Sequence, residues 1–230
     1  MLEQTLHNEF TQPIEVLRNK KAAIFDWDDT ITQSFHFWTP IIADFIESEG
    51  YSRPDHSTLR KAWGKPLIDV FSHLVENASP DIVDRYSSFV PDNLEIQPVE
   101  GVVETLQRLK GLGYILGIVS SSSRKHLERC LGRVIPHDYF EFVQTVEIST
   151  YKKPDPRVFD SPLAMLHSQG IQNSEVLYVG DSLTDYFASR DANINFVGVM
   201  SGVTTTEDFI SAGLSQEFIL RNANELFQKR

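Results

Sequence analysis

The segment Ala22-Ala23-Ile24-Phe25-Asp26-Trp27-Asp28-Asp29-Thr30 constrains this chain more than any other. Its apolar run suits a buried strand of a parallel sheet, and Asp is depleted from strand interiors. The chain therefore leaves the sheet at Asp26, and acidic side chains gather at the strand's carboxyl end. In open α/β sheets that edge is where ligands bind. Asp26 and Asp28 are two residues apart, so they point the same way if the backbone stays extended. Two carboxylates held together repel unless a cation sits between them or one keeps its proton. Such a pair suits a hard metal ion, acid/base work, or both. Alone, the segment also reads as an acidic surface turn.

Three further apolar runs read as strands, at 115–119, 176–179 and 196–199, with a fifth at 217–220. Helical patterns lie between them: Val102, Val103, Leu106 and Leu109 before Gly111 and Gly113, then 124–131, then 162–167. From residue 100 onward strand and helix alternate, which predicts a doubly wound, Rossmann-like parallel sheet of the α/β class. Residues 31 to 98 break that rhythm. Phe37, Ile41, Ile42 and Phe45 mark one amphipathic helix closed by Gly50; Leu67, Val70, Phe71, Leu74 and Val75 mark another; 82–89 is a third. Prolines 54, 66, 80, 91 and 98 punctuate the region. The expected organisation is a polar extension over 1–19, with a helix on Leu2, Leu6 and Phe10, then a core formed by 20–32 and 99–230. An all-helical cap subdomain, 33–98, is inserted between the first two strands.

Composition removes some partners. The 21 Lys and Arg against 32 Asp and Glu give a formal charge of −11. Such a surface disfavours nucleic acid and anionic membranes. No apolar run approaches the ~20 residues of a membrane helix, and the first twenty residues carry Glu3, Glu9 and Glu15 with no apolar stretch. A cytoplasmic location is expected, with Cys130 as a small buried hydrophobe. Whether the chain is a monomer or a dimer stays open.

Other strand ends repeat the opening pattern. After 115–119 comes Ser120-Ser121-Ser122-Ser123-Arg124, small hydroxyls and backbone N–H groups suited to an anion, or simply to capping a helix. After the strand at 176–179 comes Gly180-Asp181-Ser182-Leu183-Thr184-Asp185, with two acids one helical turn apart. One of them is explained by capping; the second is not. In Tyr151-Lys152-Lys153-Pro154-Asp155-Pro156, two prolines stiffen a loop and aim a lysine. Asp26, Asp28 and Asp181 offer the oxygen donors that magnesium takes. A lysine and a hydroxyl beside them would offset the charge of a bound phosphate.

The order Asp26-x-Asp28-x-Thr30, Ser120 after a strand, Lys153-Pro154, then Gly180-Asp181-x-x-x-Asp185 resembles the haloacid dehalogenase superfamily over residues 20–222. The helical insertion is similar to the cap of its phosphoglycolate phosphatase and β-phosphoglucomutase branch. The resemblance implies that Asp26 attacks phosphorus to form an aspartyl phosphate. It implies Asp28 as the acid/base that also lends its backbone carbonyl to Mg2+. Ser120 and the backbone N–H of Ser121 would hold phosphate, Lys153 (or, as runner-up, Lys152) would pair with phosphate and Asp26, and Asp181 would complete the metal ligands, with Asp185 as ligand or orienter.

Departures sharpen the expectation. Asp29 stands where the family commonly has glycine, and is expected to turn outward, since a third inward carboxylate would overcharge the site. Gln33 replaces a frequent aspartate. Trp38 stands where the branch's mutases carry a histidine, with His36 nearby, which weighs against a mutase. Trp63-Gly64-Lys65-Pro66 is the candidate substrate-reading loop, Lys65 meeting an acidic group, or else an exposed turn with Trp63 packed inside. His56, His73, His126, His137 and His167 form no ligand spacing and are expected to be ordinary surface or core residues. The expected function is an Mg2+-dependent phosphatase of a small phosphorylated metabolite, phosphoglycolate-like or a sugar phosphate. The alternatives are a phosphomutase or, less favoured, a non-catalytic phosphate-binding protein. A 2-haloacid dehalogenase is disfavoured, because that chemistry needs neither magnesium nor an acid at position 28.

Overall fold

A computed structural model describes residues 15–65, 67–91, 94–128, 131–132 and 135–227. The helix expected on Leu2, Leu6 and Phe10 and the placement of Cys130 lie outside these residues. Six parallel strands form one sheet in the order β3-β2-β1-β4-β5-β6. They are β1 (Ala22–Phe25), β2 (Ile115–Val119), β3 (Phe142–Gln144), β4 (Val176–Gly180), β5 (Asn195–Val199) and β6 (Ile219–Leu220). Every residue of β1 and β4 is buried, as expected for strands covered on both faces. Alternate residues feed two cores: Ala23, Phe25, Leu177 and Val179 face one layer, Ala22, Ile24, Val176 and Tyr178 the other.

The sheet grows outward from β1 through β2 to β3, then returns to β4 on the other side of β1. The carboxyl ends of β1 and β4 therefore form the topological switch point, the crevice where open α/β sheets bind ligands. The core helices are α5 (Val102–Gly111), α6 (Arg124–Glu128), α7 (Asp160–Ser168), α8 (Leu183–Asp191) and α9 (Thr206–Ser211). Two strand expectations need correction. The run at 217–220 is strand only at Ile219–Leu220, after a 3-10 turn over Gln216–Phe218. Strand β3 is not in the expected set; its three residues are too few to show a pattern. The Phe142 ring lies where a Cβ on Gly117 would stand, 2.1 Å away, which explains a glycine inside β2.

Between β1 and α5 the described chain is helical: α1 (Ser34–Ser48), α2 (His56–Ala62), α3 (Leu67–Leu74) and α4 (Ile82–Phe89). The sequence pattern marks three of these and misses α2, which Asp55 caps by accepting from the Thr58 N–H at 2.7 Å. Phe45, Phe71 and Tyr86 pack edge to face, centroids 5.2–5.4 Å apart, and form the apolar centre of the helices. The two stems that enter and leave this segment pair with each other. The Gln33 N–H donates to Gln97 O at 2.9 Å, and the Val99 N–H to Ile31 O at 2.8 Å.

Candidate active site

The acids that the sequence scatters over 160 residues converge at the switch point. Asp26 continues β1, its N–H donating to Val179 O at 2.9 Å, and its carboxylate emerges at the sheet edge. Asp181 follows β4 directly. Asp185 lies in the first turn of α8, where Ser182 caps the helix. Carboxylate oxygens of Asp26, Asp181 and Asp185 all lie within 4.8 Å of one another, and all three residues are buried. Thr30 Oγ1 donates to Asp181 Oδ1 at 3.4 Å. On the other side of Asp181, a Cβ on Gly202 would fall 1.8 Å from Asp181 Oδ2, so the loop after β5 approaches this closely only as glycine.

Lys153 enters from the loop before α7. Its ammonium donates to Asp26 Oδ1 at 2.7 Å, Asp185 Oδ1 at 2.5 Å and Tyr178 Oη at 3.1 Å. Its side chain is 4 % exposed. Lys152 is exposed, so the pairing falls to Lys153. Asp185 is fully occupied. Its Oδ1 accepts from Lys153 and from the Tyr178 hydroxyl at 2.9 Å, and its Oδ2 from the Ser182 N–H at 3.0 Å and Ser182 Oγ at 2.5 Å. A carboxylate has about four lone-pair sites, and all are used in aiming Lys153 and capping α8. Tyr178 is invisible as a site residue in the sequence, where it counts as one apolar member of a strand.

One ammonium serves three buried carboxylates, so full ionisation leaves two negative charges uncompensated. Burial pushes the Asp26 carboxyl up to about 7; Lys153 pulls against this, and Asp185 and Asp28 add to it. Burial, then the charges of Asp185, Asp29 and Asp26, hold Asp181 well above the ordinary carboxyl range. Burial alone would lower Lys153, but Asp185 and Asp26 outweigh it and keep the ammonium charged. The cluster therefore needs protons or a cation.

Asp28 has a different environment. Its Oδ1 accepts from Ser34 Oγ at 2.5 Å and lies 2.9 Å from His126 Nε2; its Oδ2 accepts from Ser122 Oγ. Burial opposes its charge, but His126, Ser122 and Ser34 together hold the carboxyl down at about 2. His126, expected to be ordinary, is thus a site residue, and its ring packs on Trp38 with centroids 5.1 Å apart. The signal available was its position three residues beyond the serine cluster, on the first turn of α6.

Asp29 corrects an expectation outright. It is 1 % exposed, not turned to solvent. Its backbone takes φ 57°, the left-handed region that favours glycine and that Asp tolerates better than most residues. Its Oδ1 accepts from the Phe35 N–H at 2.8 Å and its Oδ2 from Trp63 Nε1 at 2.6 Å. The expectation rested on overcharging the site; these two N–H donors hold the side chain inward nonetheless, but they offset its desolvation only in part, and burial raises its carboxyl to about 7. Of the remaining candidates, Ser120 is buried at the end of β2 and accepts from the Ser122 N–H at 3.0 Å. Ser121 and Lys65 are exposed.

The sequence pattern of the haloacid dehalogenase-like hydrolases matches residues 23–199, and the chain belongs to that family of enzymes. A curated relative named pyrophosphatase PpaX, from Bacillus cereus, is 28% identical over 186 residues, which are 77% of this chain and 82% of the relative. A Bacteroides fragilis structure named as a haloacid dehalogenase-like hydrolase is 26% identical with a TM-score of 0.77, covering 90% of this chain and 99% of that one. One named as a predicted phosphoglycolate phosphatase, from Haemophilus somnus, shares the fold at 20% identity with a TM-score of 0.76, covering 90% and 96%. No helix of the described residues is long and apolar enough to cross a membrane.

Hydrolases of this family generally use a divalent metal, and the residues here fit one. The donors are all hard oxygens, and the cluster's uncompensated charge is what a divalent ion would neutralise.

Proposed function

We propose that this chain is a Mg2+-dependent phosphatase of small phosphorylated metabolites, working through a phosphoryl group carried on Asp26. The observation that carries the reading is Lys153. A buried ammonium held 2.7 Å from Asp26 Oδ1 sits where phosphoryl charge would develop. In the first half of the reaction an Asp26 oxygen forms a bond to phosphorus while the bond to the leaving oxygen breaks. In the second half water attacks that phosphorus, the Asp26–phosphorus bond breaks, and inorganic phosphate departs. Asp28 is the acid/base group of both halves. In the first half its protonated form would give the proton to the leaving oxygen; in the second its ionised form, the one that Ser34, Ser122 and His126 favour, takes the proton of the attacking water and restores the acid. Lys153 and Ser120 hold the transferred phosphoryl oxygens, with the Ser121 N–H alongside. Asp185 acts through Lys153.

Asp26, Asp181 and the Asp28 backbone carbonyl would hold the Mg2+; bound there, the ion would neutralise charge on the phosphoryl group and the acids. The paired stems at 31–33 and 97–99 support taking residues 33–98 as a cap over the core of 20–32 and 99–230. Lys65, exposed on the cap loop after Trp63, would meet a second anionic group of the substrate. Inorganic pyrophosphate, suggested by the name of the relatives, fits such a substrate, as does a phosphorylated carboxylic acid such as phosphoglycolate. Trp38 is packed on His126 at the position where a mutase would carry histidine, which favours hydrolysis over phosphoryl return.

The test is a panel of phosphoesters and pyrophosphate with Mg2+, read as released phosphate. Turnover abolished by chelation and by Asp26→Asn is expected. Undiminished turnover in Asp26→Asn would remove the proposed mechanism.

A further inference from the structure

Asp29 occupies a position at which nothing in the chemistry requires a carboxylate. Its side chain spends both oxygens on structure: Oδ1 on the Phe35 N–H that opens α1, Oδ2 on the Trp63 indole that closes α2. The same two partners touch each other. The rings of Phe35 and Trp63 meet edge to face, centroids 5.4 Å apart at 81°, and His56 at the start of α2 stands on Phe35 in the same manner at 5.1 Å. A loop that carries Asp26 and Asp28, the first turn of α1 and both ends of α2 are thus tied at one carboxylate. Helix α2 has a second hold on the core: the Arg60 guanidinium donates to Val203 O, one residue beyond the glycine that lies against Asp181. Two of the loops that bear on the acid cluster, the one after β1 and the one after β5, are therefore gripped by one short helix.

We infer that Asp29 and Trp63 form a latch that positions the cap loop Trp63–Lys65 against the Asp26 loop, making Asp29 a positioning residue for substrate capture. The inference rests on the phosphatase reading of the site and deepens it. Gly64 follows Trp63 directly with φ 78°, so fixing the indole also fixes the turn that carries Lys65. A latch made by one carboxyl oxygen and one indole N–H holds the loop through a single hydrogen bond, which one substitution on either side removes. Binding that requires the closed loop is weakened by whatever fraction of molecules has the latch open.

Two conservative variants isolate the bond. Asp29→Asn keeps an oxygen for the Phe35 N–H and tolerates the left-handed backbone, but turns an amide N–H toward the indole N–H. Trp63→Phe keeps a ring on Phe35 and deletes the donor. Each is expected to raise KM about tenfold, with a smaller fall in kcat. In the double variant the rise stays about tenfold, because both changes break one bond. A hundredfold rise in the double variant, or a fall in kcat with KM unmoved in each single one, overturns the latch.

Amide hydrogen exchange over residues 56–65 supplies a reading independent of catalysis. Faster exchange there in both single variants, with β1 and β4 unchanged, is expected. Unchanged exchange in 56–65 overturns the latch even in an active enzyme. Faster exchange in a chain inactive on every phosphoester keeps the latch and removes the phosphatase reading instead.

Discussion

Asp26 and Asp28 are identical side chains two residues apart, and the fold gives them opposite surroundings. Asp26 faces inward, among Asp181, Asp185 and one ammonium, where burial lifts its carboxyl to about 7. Asp28 faces two hydroxyls and an imidazole, which hold it at about 2. The side with an excess of negative charge suits a cation. The side with an excess of donors is built to keep one carboxylate ionised and aimed. Two roles come from environment alone, as in other enzymes that pair carboxyl groups.

The comparison breaks most severely at Asp26. Asp26→Asn is expected to lower turnover by at least about a thousandfold, measured as phosphate release, since the proposed mechanism loses its nucleophile while the neighbouring acids remain. Next comes Lys153→Met, which leaves Asp26 and Asp185 buried without their cation. Turnover is expected to fall about a hundredfold. Stability at pH 7.5 is expected to fall by about 3–5 kcal/mol in a urea titration. A carboxyl whose pKa is higher in the folded chain favours folding only while protonated; that contribution is complete below about pH 4 and lost as pH passes about 7. Much of the Lys153→Met deficit should therefore disappear at pH 5. A deficit equal at both pH values would mean that the acids are not what the lysine compensates.

The cation sharpens the same contrast. Mg2+ should raise the thermal midpoint of the wild-type chain more at pH 7.5 than at pH 5, where protons occupy Asp26 and Asp181. Gly202→Ala places a methyl against Asp181, and is expected to weaken Mg2+ affinity about tenfold by calorimetry while leaving the Asp28 side untouched. The smallest effect lies on that outer side. His126→Ala removes one of three partners, so the Asp28 carboxyl should titrate above its present value of about 2 in an NMR titration, toward the ordinary carboxylate range. Turnover should fall only several-fold. A titration point that does not move would show that the hydroxyls of Ser34 and Ser122 hold Asp28 without the imidazole.

Much of this site was written locally in the chain. A buried run that stops at a polar side chain marks both a strand and the edge where the candidate site lies, and that holds for Asp26, Ser120 and Asp181. Lys153 was legible because two prolines follow it in a stiff loop. The helices α1, α3 and α4 were legible from their 3.6-residue spacing, whereas α2, short and mostly polar, carries little periodicity. The residues that escaped notice are those whose role depends on distant partners. Tyr178 reads as a strand residue until Asp185 comes beneath its hydroxyl. His126 is 98 positions from Asp28, and Gly202 reads as an ordinary turn until Asp181 lies against it.

Sequence by itself determined that acids would collect at the end of a central parallel strand, because hydrophobic burial stops where charge begins. It also determined their order and which chemistry they suit. Only the tertiary structure decided where each carboxylate faces. Asp29 is the clearest case: counting charge predicted an outward acid, whereas a buried acid is stable wherever folding delivers donors to both of its oxygens. Those donors, an amide of α1 and an indole at the end of α2, come from 6 and 34 residues away. Desolvation is a property of one residue, but its compensation belongs to the whole fold.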